Sequence, residues 1–206
     1  SVAENDWRKA ISRRIVSMLR RRPTVKTLLE DRATNLLAVA GLGSSTWDLS
    51  AAGNNPNNFC FIGAMGQAAP FALGLALAQP QKRVVLFTGD GEILMSLGIL
   101  ATVANQQPVN LCIVVLDNEV YGETGGQPTA TAGLADLESI AKGAGFRSTC
   151  TITKESELGS LKNAISGATG PHFANIKIVS ESLPLVFPYS FDGVTAVNRF
   201  REAATG

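Results

Sequence analysis

Two unbroken apolar runs, separated by one helical pattern, most strongly limit the folds open to this chain. Residues 83–88 (RVVLFT) and 110–116 (NLCIVVL) have the length and β-branched content of strands that are buried on both faces. Between them, GDGE (89–92) predicts a tight turn, and ILMSLGILATVANQ (93–106) predicts an apolar helix that Pro108 ends. Strands that alternate with helices in this way form a parallel sheet with helices on both faces.

The same alternation continues through the rest of the sequence. Strands are predicted at 36–40, 59–62, 147–152 and 172–179, and helices at 7–22, 67–79, 134–143, 154–168 and 192–204. Pro23 is predicted to end the first of these helices. We therefore expect a single domain over residues 1–206: a doubly wound α/β fold with a parallel sheet, preceded by a basic N-terminal helix.

Composition argues against one class of function. The 206 residues are 45% hydrophobic and have a net charge of +1, which argues against a nucleic-acid-binding protein. Residues 1–32 are locally basic, with nine Lys or Arg and four Asp or Glu. Arg13, Arg14 and Arg20–Arg22 belong to this segment; we interpret them as a solvated helix face, and an anionic partner is the alternative.

The cysteines and the hydropathy pattern indicate the compartment. Cys60, Cys112 and Cys150 are widely spaced, without metal-ligand spacing or a disulfide framework. The sequence shows neither an apolar stretch of about 18 residues nor an initial signal peptide. We therefore expect a soluble cytoplasmic protein that has no membrane partner.

Polar residues follow the two long strands where each ends. RVVLFT continues into Gly89-Asp90-Gly91-Glu92, and NLCIVVL continues into Asp117-Asn118. Open α/β sheets bind ligands beyond the carboxyl ends of their strands, and the N–H groups that open the next helix favour a phosphate. A carboxylate repels a phosphate unless a cation lies between them, and an all-oxygen set suits Mg²⁺. The sequence predicts a Mg²⁺-bridged phosphate or diphosphate site, although Gly-Asp-Gly alone is also an ordinary turn.

The spacing of the two loops adds a second condition. Twenty-five residues separate Gly91 from Asp117, enough for one helix and one strand to return Asn118 beside Asp90. This arrangement resembles the cofactor motif of thiamine-diphosphate enzymes, in particular the β subunits or C-terminal halves of sulfopyruvate and phosphonopyruvate decarboxylases. Four segments carry the resemblance: GLGSSTWDL (41–49), NNFCFIGAMG (57–66), VVLFTGDGE (84–92) and DNEVYGETGGQPT (117–129). Asp117 departs from the pattern, since many members have Asn there, but the family's metal ligand is the second residue of the pair.

The resemblance implies a role for individual residues. The implied Mg²⁺ ligands are the side chains of Asp90 and Asn118 and the main-chain oxygen of Val120. The residues implied to approach the diphosphate are Gly91, Glu92 (through its backbone), Tyr121, Gly122, Glu123 and Thr124. Those implied to contact the rest of the thiamine diphosphate are Gly43, Ser44, Gly63 and Met65.

Three of these residues have a more specific implied role. The carbonyl of Gly63 matches the acceptor of a hydrogen bond from the pyrimidine amino group. Met65 matches the apolar wedge under the bent cofactor, and core filling is its alternative role. Glu123 is a candidate catalytic acid or base, and a solvated loop glutamate is the alternative.

The family's reaction is the decarboxylation of a 2-oxo acid, in which the protein supplies positioning and electrostatics. It also requires an activating glutamate on a pyrimidine-binding domain. One domain already accounts for these 206 residues. The resemblance therefore implies a hetero-oligomer whose active site is shared with a subunit that carries this glutamate.

Two other functions remain open. The chain resembles the β chain of a 2-oxo acid:acceptor oxidoreductase, whose loop also reads YGxTGGQ, but its cysteine spacing offers no iron–sulfur ligation. A non-catalytic cofactor-binding module is the third hypothesis. A hydrolase triad has little support because His172 is the single histidine, and we expect its role to be structural.

Overall fold

The computed structural model describes residues 19–61, 63–167 and 169–206. Six parallel strands form one sheet: β1 Leu36–Ala40, β2 Asn58–Cys60, β3 Arg83–Gly89, β4 Leu111–Asp117, β7 Ser148–Ile152 and β8 His172–Lys177. Their order across the sheet is β2-β1-β3-β4-β8-β7. A separate antiparallel pair, β5 Val120–Tyr121 and β6 Gln127–Pro128, lies in the loop after β4. The doubly wound parallel sheet is confirmed.

Helices cover both faces of the sheet because the strand residues alternate between two apolar layers. Leu86 of β3 and Ile113 of β4 belong to one layer, and Phe87 and Val114 belong to the other. The first layer packs against α3 Ala68–Ala78, α5 Ile99–Gln106, α6 Leu137–Ala144 and α8 Gly193–Thr205. The second packs against α1 Arg21–Leu29, α2 Ser44–Ala51 and α7 Leu158–Ser166. A short helix, α4 Asp90–Met95, follows β3 directly.

The strand order reverses between β1 and β3, where the chain after β1 turns to one face and the chain after β3 turns to the other. Ala40 at the end of β1 pairs with Phe87, and Gly89 at the end of β3 pairs with Leu116. In open α/β sheets such a reversal leaves a crevice beyond the carboxyl ends of the strands. The candidate site lies at this crevice.

The structure corrects four local predictions. Pro23 does not end a helix: it lies in the first turn of α1, where its missing N–H costs no hydrogen bond. Residues 7–18 of the predicted N-terminal helix lie outside the described residues. GDGE is helical from Asp90 onward, and the helix predicted over 93–106 is interrupted at 96–98. No helix is predicted between the strands at 36–40 and 59–62, but Ser44–Ala51 forms α2.

Among the described residues, no helix is long and apolar enough to cross a membrane.

Candidate functional site

A cavity of about 450 Å³ opens where β1, β3 and β4 end. Its size is in the range of small-molecule and cofactor sites. Apolar side chains, including Leu42, Met65 and Leu94, form one part of the wall, and the polar ends of β3 and β4 form another. The ends of β3 and β4, where the sequence predicts a site, therefore line a single cavity.

Asp90 is buried at the start of α4 and lines this cavity. Its Oδ2 accepts hydrogen bonds from the hydroxyls of Thr129 (2.6 Å) and Thr131 (3.1 Å). Burial raises the pKa of Asp90; the Thr129 hydroxyl opposes this shift, and the charge of Asp117 adds to it. No basic side chain among the described residues forms an ion pair with this carboxylate. The environment therefore leaves a buried negative charge that a bound cation would stabilise.

Asp117, at the end of β4, has a different environment. Its Oδ2 lies 2.6 Å from Nζ of Lys177 and accepts a hydrogen bond from Asn175 (3.0 Å). Its Oδ1 accepts hydrogen bonds from Thr131 (2.8 Å) and from the backbone N–H of Glu119 (3.1 Å). Asp117 is thus neutralised within the protein by a lysine on the adjacent strand β8.

The turn after Asp117 brings Asn118 and Val120 to the cavity. Glu119 adopts a left-handed backbone (φ 64°), which is uncommon for a residue other than glycine. Its Oε1 binds Nζ of Lys177 at 2.9 Å, so one lysine holds both Asp117 and Glu119. Burial alone would lower the pKa of Lys177, but hydrogen bonds and charges from these two carboxylates outweigh it and raise the pKa.

Within this turn, Oδ1 of Asn118 accepts a hydrogen bond from the backbone N–H of Val120 (3.1 Å). An amide oxygen has two lone pairs, so this contact leaves one for a further ligand.

The side chain of Glu92 connects three segments at the cavity: the end of β3, the turn after β1 and the loop before α3. Its Oε2 accepts a hydrogen bond from the Thr88 hydroxyl (2.8 Å), and its Oε1 accepts long hydrogen bonds from the N–H groups of Leu42 (3.4 Å) and Gly66 (3.3 Å). Burial raises its pKa, while the Thr88 hydroxyl opposes the shift. A Cβ on Gly41 would lie 1.8 Å from Oε2, so a side chain there would displace the Glu92 carboxylate. The family resemblance implies a role only for the backbone of Glu92, so these side-chain contacts were not expected.

Comparison with known proteins identifies the family of this domain. Residues 43–176 match the family described as thiamine pyrophosphate enzyme, C-terminal TPP binding domain. The chain is 35% identical to the β subunit of sulfopyruvate decarboxylase from Methanothermobacter thermautotrophicus, over 87% of this chain and 90% of that protein. The chain belongs to the thiamine pyrophosphate enzyme family.

Two further relatives are longer than this chain. It is 34% identical to phosphonopyruvate decarboxylase from Streptomyces viridochromogenes over 89% of its length, but the match spans only 47% of that protein. The X-ray structure of an enzyme from Mycobacterium smegmatis, described as thiamin diphosphate-dependent, aligns with a TM-score of 0.68 and 26% identity. That alignment covers 80% of this chain and 32% of the solved one. The chain thus corresponds to one part of these larger proteins.

Most of the residues that the family motif implies lie around the one cavity. The lining includes Ser44, Met65, Asp90, Gly91, Glu92, Asn118, Val120, Tyr121, Gly122, Glu123 and Thr124. Gly43 and Gly63 are not among the residues that line it. Gly43 is adjacent to the lining residue Ser44 and has a positive φ of 74°, which favours glycine. The individual contacts of all these residues with a cofactor remain predictions.

One aromatic and one acidic side chain each pack against a glycine of the motif. A Cβ on Gly91 would lie 2.4 Å from the ring of Tyr121, so the absence of a side chain there lets the ring pack against the start of α4. A Cβ on Gly43 would lie 3.0 Å from Oε1 of Glu123, which places that carboxylate over the turn after β1. Glu123 is exposed.

Several polar residues at the site could not be identified from the sequence. Thr129 and Thr131, which bind Asp90, lie in a loop whose spacing gives no periodic signal. Lys177 and Asn175 belong to a strand nearly sixty residues after Asp117. Only the Thr-x-Thr spacing of Thr129 and Thr131, in the loop after β4, could have suggested a ligand-orienting role. His172 is buried in β8 and does not line the cavity, as the structural interpretation expects.

The donors present fit Mg²⁺ held together with a diphosphate. Asp90 offers one carboxylate, Asn118 one amide oxygen and Val120 one carbonyl, and all three residues line the cavity. Mg²⁺ commonly takes one or two carboxylates and fills its other positions with phosphate oxygens and waters. No cluster of three or more His, Cys, Asp or Glu residues suited to a metal occurs in residues 19–61, 63–167 and 169–206.

Proposed function

We propose that this chain is the diphosphate- and Mg²⁺-binding subunit of a thiamine-diphosphate-dependent 2-oxo acid decarboxylase. The single observation that carries the proposal is the buried carboxylate of Asp90, which has no basic partner in the described structure and lines the same cavity as Asn118 and Val120. The relatives named sulfopyruvate and phosphonopyruvate decarboxylase support the reaction class. The substrate class is a small 2-oxo acid.

The chain's own residues bind and orient in this proposal. Asp90, Asn118 and the carbonyl of Val120 hold the cation that lets a diphosphate approach the end of β3. The hydroxyls of Thr129 and Thr131 fix the carboxylate of Asp90. The bound cofactor supplies a carbon nucleophile and an electron sink for the loss of carbon dioxide. Glu123 holds or releases a proton at its exposed carboxylate, in the role of acid or base.

A second subunit completes the active site in this proposal. The relative from Methanothermobacter is named as a β subunit, and the match to phosphonopyruvate decarboxylase spans under half of that protein. Apolar side chains at the cavity are also exposed, with Met95 67% and Leu42 37% accessible. We propose that a pyrimidine-binding-domain subunit covers them in a cytoplasmic hetero-oligomer and contributes the activating glutamate.

The test is to isolate the native complex, identify its second chain and assay it with thiamine diphosphate, Mg²⁺ and 2-oxo acids. We expect a chain that contains a pyrimidine-binding domain, and release of carbon dioxide and aldehyde without coenzyme A or an electron acceptor. An active pure homo-oligomer would contradict the shared site. Strict dependence on an acceptor such as ferredoxin would instead support the 2-oxo acid:acceptor oxidoreductase, which the loop sequence YGETGGQ favours as the alternative. Cofactor binding without turnover in the complete complex would support a non-catalytic module.

A further inference from the structure

Arg21 brings a positive charge to the cavity from an element that the family motif does not include. The backbone N–H of Val179 donates to the carbonyl of Leu19 (2.8 Å), which ties the segment before α1 to the chain following β8. Helix α1 therefore begins beyond the carboxyl ends of the strands, and its first residue, Arg21, lines the cavity together with Leu116 and Ile178. The match to the family begins only at residue 43.

The Arg21 side chain is held in place and almost fully buried, with 7% of its surface exposed. Its Nε donates a hydrogen bond to Oδ2 of Asp48, a fully buried residue of α2. The other oxygen of Asp48 accepts a hydrogen bond from Nε of Arg22 (3.0 Å). Two guanidinium groups thus share one carboxylate, and this group of three residues has a net charge of +1.

The two arginines differ in what their terminal amino groups contact. Nη2 of Arg22 donates to the carbonyl of Pro184 (2.8 Å), away from the residues that line the cavity. The terminal amino groups of Arg21 donate no hydrogen bond to any of the described residues. A guanidinium has five N–H donors in a planar fork that matches oxyanions, so a buried one with spare donors is built for an anionic ligand.

The charges of the residues that line the cavity also favour an anionic ligand at Arg21. Of the described residues that line it, Arg21 is the one basic side chain, whereas Asp90, Glu92 and Glu123 are acidic. A single Mg²⁺ cannot balance both these carboxylates and the charge of a diphosphate. Helix α1 also begins at Arg21, without a side-chain cap, so its partial positive charge adds to that of the guanidinium.

We propose that Arg21 is an anion-binding residue of this cavity, which holds a phosphate- or sulfonate-type oxyanion through its terminal amino groups. The oxyanion comes from the cofactor's diphosphate or from an anionic substituent of the 2-oxo acid. The second source rests on the proposed function, and the first rests only on membership of the family. Arg21 is then a further ligand-binding residue, one that the motif at the ends of β3 and β4 does not include.

The experiment compares Arg21→Gln with its matched control Arg22→Gln in the native complex. The control removes the neighbouring guanidinium from the same carboxylate but leaves the cavity unchanged. Calorimetry measures the affinities for inorganic diphosphate and thiamine diphosphate at fixed Mg²⁺, and steady-state kinetics compares pyruvate with sulfopyruvate. Because Arg21→Gln leaves Asp48 with one arginine, the double variant Arg21→Gln/Asp48→Asn is measured beside it, and circular dichroism verifies folding.

A charge-assisted hydrogen bond is worth about tenfold or more in affinity. The oxyanion is assigned to the cofactor if Arg21→Gln and the double variant bind both diphosphates at least tenfold more weakly. Arg22→Gln must then change these affinities less than threefold. Unchanged cofactor affinity with at least tenfold higher KM for sulfopyruvate alone assigns it to the substrate.

The proposal is overturned by equal losses in Arg21→Gln and Arg22→Gln, or by unchanged binding and KM in a folded double variant. Failure of the proposed function is a separate outcome. A wild-type complex that does not decarboxylate 2-oxo acids still reports on Arg21 through its inorganic diphosphate titration.

Discussion

Strands β3 and β4 are each followed or ended by a buried aspartate, Asp90 and Asp117, and the two are stabilised in opposite ways. Asp117 has a lysine at 2.6 Å and three further donors, so its charge is balanced within the protein. Asp90 has two hydroxyls and no ion-pair partner in the described structure. Burial of an unpaired carboxylate costs free energy, whereas a paired one is held in place. We propose from this difference that Asp117 maintains the fold and that Asp90 is available to a ligand.

Thr131 couples the two aspartates. Its Oγ1 lies 3.1 Å from Asp90, 2.8 Å from Asp117 and 2.8 Å from the Thr129 hydroxyl. A hydroxyl has one proton, so it donates fully to only one carboxylate at a time. A cation bound to Asp90 would weaken the hydrogen bond that Asp90 accepts from Thr131. The hydrogen bond from Thr131 to Asp117 would then become stronger.

The largest expected effect comes from removing the lysine. Lys177→Met leaves Asp117 buried without its cation, and removing one partner of a buried pair typically costs about 3–5 kcal/mol of unfolding free energy. Urea unfolding measures the loss, with Lys142→Met, an exposed lysine of α6, as the control at about 0.5 kcal/mol or less. If the loss of unfolding free energy for Lys177→Met lies within about 1 kcal/mol of the control, Asp117 needs no cation.

The second effect concerns the cofactor. Asp90→Ala removes the only anionic side chain proposed to hold Mg²⁺, and we expect thiamine diphosphate affinity to fall about a hundredfold, or about 2.7 kcal/mol. Asn118→Ala removes a neutral ligand that a water can partly replace, so we expect about a tenfold loss that excess Mg²⁺ restores. Titrations of the native complex at several Mg²⁺ concentrations separate the two. Equal losses with equal rescue would remove the distinction between the ligands.

Smaller effects are expected from the neutral donors around each carboxylate. Thr129→Val removes a hydroxyl that orients Asp90. Loss of this hydrogen bond is expected to cost about 1 kcal/mol of binding free energy, which corresponds to an approximately fivefold weaker cofactor affinity. Asn175→Ala removes a donor to Asp117 and is expected to lower stability by about 1 kcal/mol without changing that affinity. Calorimetry and urea unfolding of both variants check this crossed pattern. The opposite assignment, with Asn175 controlling affinity, would contradict the account.

The sequence predicts the sheet and the placement of Asp90 and Asn118 at one cavity because both depend on local information. Apolar runs at 83–88 and 110–116 are long enough to identify buried strands, and a parallel crossover then fixes where both strands end. The break at 96–98 and the helical start at Asp90 escape prediction, since an apolar pattern does not show where backbone hydrogen bonds change partner.

Charge partners are not predictable in the same way. Lys177 reaches Asp117 only because β8 pairs with β4, a register that no local pattern contains. Arg21 looks like part of a basic, solvated helix in the sequence, yet its side chain is buried against Asp48. Both cases depend on contacts between residues far apart in the chain, which tertiary packing decides.

The central claim is that the charge of Asp90 serves a ligand and that of Asp117 serves the fold. It is tested most directly by measuring unfolding free energy and Mg²⁺-dependent thiamine diphosphate binding for Asp90→Asn and Asp117→Asn side by side. We predict that Asp90→Asn is at least as stable as the wild type without cofactor and loses cofactor binding. Asp117→Asn is predicted to be less stable and to bind the cofactor within a few-fold of the wild type. A destabilised Asp90→Asn that still binds the cofactor, beside a stable Asp117→Asn that does not, would contradict the account.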